Sequence, residues 1–511
     1  MAVELGASRL LAPYFSSSQI VWTIIIGTIM IAMALGNVYG GRSADKDPNP
    51  DRLYKRMLVA AIWIAAIPFA GRYIILAISA CLIAAIDTNF LIIAAFASCM
   101  IIFVFPLFLL GTVTPSLVKY TVGNLDESGR IVGTLGAFNT IGSIIGTFLP
   151  TFVTIPAVGT SVTFLIFGGV LLIIALIYFL STGSRKISCL LAVLFYLLCI
   201  VMNRFTGFAF WEDSLLYEGE SVYNYLQVKE NEKEILLSTN VLFGVQSVKR
   251  KDGELTGMYY DYAMAAPVIS GTKQREKTDM LILGMGTGTY AAQCEKYFRG
   301  MNIEGVEIDE KITALSKKYF DASEDIPVIT YDGRAYLQSV DKKYDVIMVD
   351  AYQDISIPFQ MSSVEFFRQV YDHLSDDGVM VVNMNMRSDE KGNINEYLSD
   401  TIASVFPSVY TLDVPYYTNR ELFAAKQGDL RKRLFENAEG MSDTDLTELM
   451  VDTYSYMAEY ESGGHIFTDD QAPVELLGMR EIDGLIKKEV SFYRKIYENE
   501  GIDGVLKILG M

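Results

Sequence analysis

The sequence is poor in the residues that metal sites and disulfide frameworks require. It contains 5 cysteines and 2 histidines among 511 residues, and no two cysteines form a CxxC pair. Most of the cysteines lie inside apolar runs, where cysteine usually behaves as a small apolar side chain. With only His373 and His465 available, a zinc site or a histidine-based catalytic triad is not expected. We predict no metal site.

Basic residues are also scarce, and they are unevenly placed. The chain has 42 Lys+Arg against 60 Asp+Glu, a formal net charge of −18. Through Arg204 there are 12 basic and 7 acidic residues, which leaves 30 basic and 53 acidic residues for the remainder, or −23. A segment with a net charge of −23 repels phosphate unless it carries a concentrated basic patch, and no such patch is visible in the sequence. We therefore exclude nucleic acid as a partner.

Long apolar runs occur only in the first 205 residues. They lie at 18–40, 57–84, 90–112, 131–155, 161–181 and 187–203, near or above the roughly 18–20 residues that cross a bilayer. We predict a multi-span transmembrane domain at 1-205 in the cell membrane, with six spans, one of them doubtful.

The second apolar run carries Pro68, Gly71 and Arg72 near its middle. It predicts either one kinked, tilted helix or a broken pair. An intramembrane arginine either has a function, or extends its charged end to the membrane interface or caps backbone carbonyls, and the sequence leaves these alternatives open. The pairs Gly36-x3-Gly40 and Gly142-x3-Gly146 favour close helix packing.

Lysine and arginine cluster in alternate loops between the runs, which predicts that these loops face the cytoplasm. Six crossings would then place both chain ends outside, whereas a soluble domain that uses a cytosolic nucleotide must lie inside. A second crossing by the broken run, or one re-entrant run, would return the carboxyl-terminal part to the cytoplasm. We expect the carboxyl-terminal part to face the cytoplasm.

After the apolar part, short alternating segments predict a small antiparallel β unit at 206-270. The predicted strands run from Ser221 to Val228, from Glu234 to Ser238 and from Val241 to Lys249. From Asp279 onward, apolar strands alternate with helical stretches, which predicts a parallel sheet covered by helices on both faces. We assign an α/β Rossmann-like domain to 271-480 and a C-terminal helical tail to 481-511. The strands predicted for that domain are Met280–Leu283, Ile303–Ile308, Val328–Thr330, Val346–Val349 and Val379–Asn383.

Chemistry-bearing residues follow four successive predicted strands, where ligands bind in open α/β sheets. The first strand leads into a glycine-rich turn that lets backbone N–H groups approach a ligand. The turn departs from the dinucleotide fingerprint, because its third glycine follows the second by two residues instead of three. The turn residues are Gly284, Gly286, Thr287 and Gly288.

The next strand ends each supply an acid. Glu307 suits bidentate hydrogen bonding to two ribose hydroxyls, and Asp332-Gly333 offers an acceptor for an exocyclic amine such as that of adenine. Asp350 ends the fourth strand and is followed by a polar loop with Asp354. Each acid could instead cap a helix, with Asp309 the clearest case. Together the four strand ends favour an adenosyl-ligand pocket.

These residues resemble those of the spermidine synthase (polyamine aminopropyltransferase) family, and the whole chain is similar to its bacterial membrane-fused members. The resemblance covers roughly Glu218 to Met384, and in the membrane half it includes the ELGASRLLAP stretch from Glu4 through Pro13. It rests on Ser221 to Asn224, Gln246, Tyr259 to Asp261, Leu281 to Gly288, Val306 to Asp309, Asp332-Gly333, Val349-Asp350, Gly40 to Asp45 and Thr468 to Glu475.

The resemblance implies transfer of an aminopropyl group from decarboxylated S-adenosylmethionine to putrescine, giving spermidine and methylthioadenosine. Asp350 would then be the catalytic aspartate that takes or steers the proton of the amine. Glu307 would hold the ribose and Asp332 the adenine. No permanently bound cofactor is implied, since the adenosyl compound is a co-substrate. The amine side would be lined by Asn224, Gln246, Tyr259 or Tyr260, and Asp354.

The chain departs from the family pattern on the amine side. Thr287 stands where the family has an aspartate, and Thr256-Gly257-Met258 replaces an expected Asp-Glu pair. In the loop after Asp350, the second acid comes one residue late. Two further functions stay open: another S-adenosyl-dependent transferase, such as a methyltransferase using S-adenosylmethionine, or a polyamine or nucleoside transporter or sensor without turnover. The expected partners are the lipid bilayer and a small-molecule polyamine, and a homodimer is left open.

Overall fold

Two structural units divide the chain, one holding Met1–Asp213 and the other beginning at Ser214 and holding almost all of the remainder. The computed structural model describes residues 1–83, 86, 89–123, 126, 128–205, 207–241, 244–272, 276–351, 357–385, 387–388 and 390–508. The predicted site residue Asp354 lies outside the described residues, as do Tyr352 and Gln353.

The secondary-structure elements of the first unit are all helices in the described residues. Five stretches are long and apolar enough to cross a membrane, by length and composition only: Gln19–Lys46, Pro50–Ile83, Phe90–Thr121, Ser128–Thr182 and Lys186–Phe205. The predicted runs 131–155 and 161–181 fall in one stretch, which passes through a π-helical turn, Pro150–Thr154, but is broken between the two runs at Gly159, where φ is +79. The helices are α1 (Ala2–Phe15), α2 (Gln19–Lys46), α3 (Pro50–Ile83), α4 (Phe90–Gly111), α5 (Val113–Thr121), α6 (Ser128–Leu149), α7 (Ile155–Thr182) and α8 (Lys186–Met202).

The second apolar run forms one helix of 34 residues, α3, that continues through Pro68. The alternative of a broken pair is therefore wrong. Arg72 is 2% exposed, and its guanidinium donates a 2.5 Å hydrogen bond to the carbonyl of Gly207. The same group lies 4.8 Å from the ring centroids of Tyr73 and Phe210. Arg72 thus caps a carbonyl beyond the end of α8, and the rings beside it add cation–π attraction.

Only one of the two predicted glycine pairs packs a helix closely. A Cβ on Gly36 would lie 2.3 Å from the carbonyl oxygen of Phe108, and one on Gly40 would lie 2.7 Å from the Cα of Thr112. Side chains there would force α2 away from α4 and α5. Around Gly142, by contrast, no described atom lies within 4 Å of such a Cβ, so the helix-packing interpretation fails for that glycine.

The second unit opens with an antiparallel sheet of strand order β1-β2-β3-β4. The predicted strand from Ser221 begins late, because Ser221 and Asn224 close a turn through a 2.8 Å backbone hydrogen bond. The predicted strand from Val241 likewise begins only at Ser247, and the first strand was not predicted. The strands are β1 (Leu215–Glu220), β2 (Tyr225–Glu230), β3 (Glu234–Ser238) and β4 (Ser247–Arg250).

A larger sheet follows, with strand order β12-β10-β11-β9-β8-β5-β6-β7 in the described residues. Strands β5 to β9 run parallel, which confirms the Rossmann-like prediction. The prediction of a parallel sheet is incomplete, because β11 and β10 form an antiparallel hairpin that extends the edge beyond β9. The strands are β5 (Thr278–Leu283), β6 (Met301–Glu307), β7 (Val328–Thr330), β8 (Tyr344–Val349), β9 (Leu374–Met384), β10 (Ser408–Asp413), β11 (Arg420–Ala425) and β12 (Ala458–Glu459).

Helices cover both faces of this sheet, and each face has its own apolar core. On β8, Val346 and Met348 enter one core and Ile347 and Val349 the other, all fully buried. This alternation holds the strand in register, so that the residue after it emerges at the sheet edge. The helices are α9 (Tyr259–Ala263), α10 (Ala265–Ser270), α11 (Thr289–Tyr297), α12 (Glu310–Tyr319), α13 (Gly333–Ser339), α14 (Val364–His373), α15 (Ile394–Ala403), α16 (Leu430–Ala438), α17 (Thr444–Tyr456) and α18 (Val474–Ile508).

Candidate active site

The glycine-rich turn after β5 requires glycine for two physical reasons. Gly284 has φ +90, and a Cβ there would lie 2.4 Å from the carbonyl oxygen of Asp350. Gly286 has φ +54, and a Cβ on it would lie 3.1 Å from the Ser247 hydroxyl. Any side chain would push the turn away from the end of β8. The turn and Asp350 are therefore held against each other by backbone contact.

Glu307 ends β6 and fixes the glycine-rich turn from the other side. Its Oε2 accepts a 2.9 Å hydrogen bond from the Gly286 N–H, and its Oε1 accepts a 3.0 Å bond from the Asp309 N–H. Burial raises the pKa of the Glu307 carboxyl, although these backbone bonds act in the opposite direction. Each carboxylate oxygen keeps a second lone pair, which leaves it able to accept from ribose hydroxyls.

Asp309 is an internal support of the site. Its Oδ1 accepts from the Lys311 N–H at 3.0 Å and so caps α12. Its Oδ2 accepts from the Ser221 hydroxyl at 2.5 Å and from the Asn224 amide at 3.1 Å. The helix-capping interpretation of Asp309 is confirmed. Asn224 was predicted on the amine side, but this bond places its side chain at the end of β6 beside Glu307.

Asp332 also caps a helix. Its Oδ1 accepts a 2.8 Å hydrogen bond from the Ala335 N–H at the start of α13. Asp332 and Gly333 nevertheless line the same cavity as Glu307. The capping bond engages one carboxylate oxygen, and it fixes the direction in which the other can face a ligand.

Asp350 follows β8 directly and is held by two side chains. Tyr259 donates a 2.6 Å hydrogen bond to its Oδ2, and Asn383 donates a 2.8 Å bond to its Oδ1. The Asn419 amide in turn donates to Asn383 at 2.9 Å, which fixes the amide orientation. Burial raises the pKa of the Asp350 carboxyl to about 7, against the lowering effect of Tyr259 and Asn383. A carboxyl with that pKa is suited to take up a proton near neutral pH.

Two further predicted residues, Gln246 and Tyr260, line the same cavity. Tyr260 donates from its hydroxyl to the carbonyl of Gln246 at 2.8 Å, and its ring lies 3.9 Å from that of Tyr259. Both tyrosines are almost fully buried. The tyrosine run thus connects α9 to the segment before β4 and to Asp350.

One cavity of about 270 Å³ joins most of these groups. Thr287 and Gly288 do not line it and border a smaller neighbouring cavity, while Tyr259 reaches the site through its bond to Asp350. The structure thus brings the predicted residues of the four strand ends together. Those lining the larger cavity are Asn224, Gln246, Tyr260, Gly284, Gly286, Glu307, Asp332, Gly333 and Asp350.

Sequence reasoning missed two residues of the site. Asn383 lies near the end of β9 and holds Asp350. Ser247, at the start of β4, accepts from the Thr287 N–H at 3.3 Å. A polar residue closing an apolar strand was the available signal for Asn383. Ser247 carries no such signal, because its contact depends on how β4 packs against the turn.

Among the described residues, no group of three His, Cys, Asp or Glu side chains is placed to hold a metal ion. The groups in the cavity are carboxylates, backbone N–H groups and tyrosine hydroxyls. Such groups can bind sugar hydroxyls and amines and can accept a proton. The fold and these groups fit a Rossmann-like enzyme that binds a polar ligand.

Comparison with known proteins narrows this class. Residues 260–432 match the spermine/spermidine synthase domain. A probable polyamine aminopropyl transferase of Bifidobacterium longum (strain NCC 2705) is 53% identical over 350 residues, which cover 65% of this chain and 77% of the relative. A polyamine aminopropyltransferase of Vibrio vulnificus (strain CMCP6) is 24% identical over 303 residues, or 56% of this chain and 98% of the relative. Among solved structures, the Thermotoga maritima spermidine synthase shares 20% identity, with a TM-score of 0.39 over 48% of this chain and 84% of that one.

The chain belongs to the spermidine synthase family and is an enzyme of the polyamine aminopropyltransferase type. The family resemblance read from the sequence is thereby confirmed. Of the three functions left open, membership favours aminopropyl transfer over methyl transfer and over a transporter or sensor without turnover.

Proposed function

We propose that this chain is a membrane-anchored aminopropyltransferase that uses decarboxylated S-adenosylmethionine and a diamine such as putrescine. The products are spermidine and methylthioadenosine. The observation that carries the proposal is the placement of Asp350, a carboxyl with a pKa of about 7 beside the glycine-rich turn. Tyr259 and Asn383 fix both of its oxygens.

The reaction needs a neutral amine next to a sulfonium. The amine nitrogen attacks the methylene carbon bonded to sulfur, the new C–N bond forms, and the C–S bond breaks with its electron pair going to sulfur. The product sulfur is a neutral thioether, and the nitrogen must lose a proton. Asp350 accepts that proton, and because its oxygens are already oriented, little rearrangement is needed.

The adenosyl half is held by the other strand ends. Glu307 accepts from the ribose hydroxyls with the lone pairs that Gly286 and Asp309 leave free. Asp332 and Gly333 lie at the adenine end, one strand further along the sheet. This arrangement supports binding of methylthioadenosine as product and of its sulfonium parent as co-substrate.

The helical unit supports the membrane part of the proposal by the length and composition of its helices. We propose a multi-pass protein of the cell membrane whose carboxyl-terminal unit faces the cytoplasm, where adenosyl compounds are made. The basic loops support a membrane orientation but do not choose the side of the second unit.

The test is a turnover assay with the purified full chain. We expect methylthioadenosine release from putrescine and decarboxylated S-adenosylmethionine, and none with S-adenosylmethionine in its place. Methylation of an amine with S-adenosylmethionine would contradict aminopropyl transfer. Absence of product with either co-substrate, from a protein that still binds methylthioadenosine, would contradict the diamine as acceptor.

A further inference from the structure

A buried glutamate without a hydrogen-bond partner lies near Asp350. Glu421, the second residue of β11, is 0% exposed, and neither of its carboxylate oxygens has a hydrogen-bond partner among the described residues. Burying a carboxyl in this way costs free energy that packing alone does not recover. A group of this kind calls for a ligand or a charge that completes it.

The sheet places Glu421 in line with the reacting groups. Glu421 is paired in register with Asn383 on β9, and Asn383 donates to Asp350. With neighbouring strands about 4.8 Å apart, the Cα atoms of Asp350 and Glu421 are separated by about 10 Å. Glu421 shares its sheet face with Phe423, which enters the same core as Met348, and Met348 lines the cavity.

The cavity wall lies within electrostatic reach of Glu421. Tyr290 lines the cavity. Burial raises the pKa of Tyr290 most, Cys294 raises it further, and Glu421 makes a smaller contribution in the same direction. Glu421 itself has no exposed surface, so a ligand reaches it only if the wall gives way locally. Helix α9, whose Tyr260 lines the cavity, packs against both β9 and β11.

The other buried acid on this side is already satisfied. Asp261 accepts from the Thr256 hydroxyl, the Gly257 N–H and the Gln293 amide, so its carboxylate is committed to fixing the start of α9. Thr287 brings no charge to the glycine-rich turn. Among the described residues on this side of the site, Asp350 and Glu421 are therefore the carboxyl groups that remain for an amine substrate.

We propose that Glu421 binds the distal ammonium group of the acceptor diamine, while Asp350 receives the proton of the attacking amine. The inference rests on the proposed function and adds to it the residue that selects a diamine over a monoamine. The two nitrogens of an extended four-carbon diamine are about 6 Å apart. With about 2.8 Å for a charge-assisted hydrogen bond at each end, such a diamine matches the separation of the two strands.

The experiment compares 1,4-diaminobutane with butylamine, which has the same chain length but lacks the second nitrogen. We expect the wild-type enzyme to prefer the diamine, and Glu421→Gln to raise its KM for the diamine about 10- to 100-fold, the usual effect of losing one charge-assisted hydrogen bond. The KM for butylamine and the affinity for methylthioadenosine should stay within about two-fold. Glu421→Asp keeps the carboxyl group, so it should retain part of the diamine preference.

The control is Glu459→Gln, an exposed glutamate on β12 of the same sheet, which should leave the preference unchanged. An active Glu421→Gln enzyme that prefers the diamine as strongly as wild type would overturn the role of Glu421 and leave the proposed function intact. A wild-type enzyme that turns over both amines equally would also overturn the role of Glu421, whatever the variants do. A wild-type enzyme inactive with both amines would overturn the proposed function first, and the inference with it.

Discussion

At the scale of single residues, the chemistry depends on how Asp350 is surrounded. Its carboxyl is ionised only above a pKa of about 7, and only the ionised form can take up the proton of the amine. We therefore expect kcat/KM to fall about tenfold for each pH unit below 7. A pH-rate profile that stays flat down to pH 5 would contradict the role of Asp350 as proton acceptor.

Replacing Asp350 tests the same role directly. Asp350→Asn keeps the shape of the side chain and most of the contact with Tyr259 and Asn383 but cannot accept a proton. We expect kcat to drop by about 10²–10⁴, the usual contribution of a positioned general base, and methylthioadenosine affinity to stay within a few-fold. If Asp350 only caps the following loop, the Asn variant, also a good cap, should keep both turnover and stability.

Glu307 supports the glycine-rich turn and, in the proposed function, binds the ribose, so its substitution should affect both roles. In wild type, the two carboxylate oxygens of Glu307 accept hydrogen bonds from the Gly286 and Asp309 N–H groups. Glu307→Gln keeps only one of these oxygens, and it removes the negative charge that would attract the ribose hydroxyls. We expect the binding free energy of methylthioadenosine to weaken by about 1.5–3 kcal/mol. Calorimetric titration measures this, and an unchanged dissociation constant would remove Glu307 from the pocket.

Glu421 should also make stability depend on pH. Burial raises its pKa well above the ordinary value of 4.5, so the folded chain keeps a proton that the unfolded chain releases. The free energy of unfolding therefore falls as pH rises above about 4.5. Glu421→Gln, which resembles the protonated form, should have the higher Tm at pH 8 and the same Tm as wild type near pH 4. A difference in Tm that does not change with pH would contradict this.

The order of residue types along the strands made Glu307 and Asp350 predictable, because each acid follows an apolar strand that can only be buried. Asn383 and Glu421 were not predictable in the same way. Glu421 lies inside a strand, where a charged residue ordinarily points to solvent. Its burial depends on β11 pairing with β9, which is a contact between distant parts of the chain.

At the scale of elements, the segment before α18 fixes one wall of the pocket. Asp469 accepts two 2.7 Å hydrogen bonds from the Arg334 guanidinium and one of 2.5 Å from the Ser363 hydroxyl. Arg334, in α13, also donates to the carbonyl of Gln360 at 2.9 Å, and Gln360 lines the cavity. Asp469 therefore holds Arg334, and through Arg334 it helps to position Gln360 in the wall of the cavity.

This arrangement predicts a distant effect on ligand binding. Asp469→Asn should weaken methylthioadenosine binding about 3- to 10-fold, since it removes the charge from a two-bond contact that orients Arg334. Asp470→Asn, at the exposed neighbouring position, is the matched control and should bind like wild type. Equal affinities of the two variants would show that the ion pair between Arg334 and Asp469 does not affect ligand binding.

The sequence predicted elements well where apolar pattern alone determines them. Strand β7 was predicted at its observed bounds, and β5, β6 and β8 within three residues. The small sheet was harder, because the turn from Ser221 to Asn224 interrupts an alternating pattern that looks continuous. The antiparallel strands β10 and β11 were missed, since nothing local distinguishes an edge hairpin from one more crossover.

At the scale of the whole molecule, the apolar helices predict how the chain is held in the cell. The full chain should stay in the membrane fraction after alkaline carbonate washing, because helices of about 20 or more apolar residues satisfy their backbone groups internally and remain in lipid. A peripheral protein washed under the same conditions is the control. Release of the chain into the supernatant would refute the membrane proposal.

The side of the membrane needs its own measurement. We expect a reporter fused at the carboxyl terminus to be active in the cytoplasm, where the co-substrate is made. A second reporter type, active only outside, should be silent at the same position. The opposite pattern would place the enzyme away from its co-substrate and would contradict the cytoplasmic assignment.

The strand order of the large sheet has a consequence for how such enzymes diversify. In the proposed function, adenosyl recognition lies on β5, β6 and β7, whereas the groups assigned to the acceptor lie on β8, β9 and β11, which follow on the other side of β5 in the strand order. Mutations in the hairpin of β10 and β11 can therefore alter which amine is accepted without disturbing the donor side. Paralogues that share the donor should differ first at the position of Glu421, and grafting that hairpin between them should exchange their amine preferences.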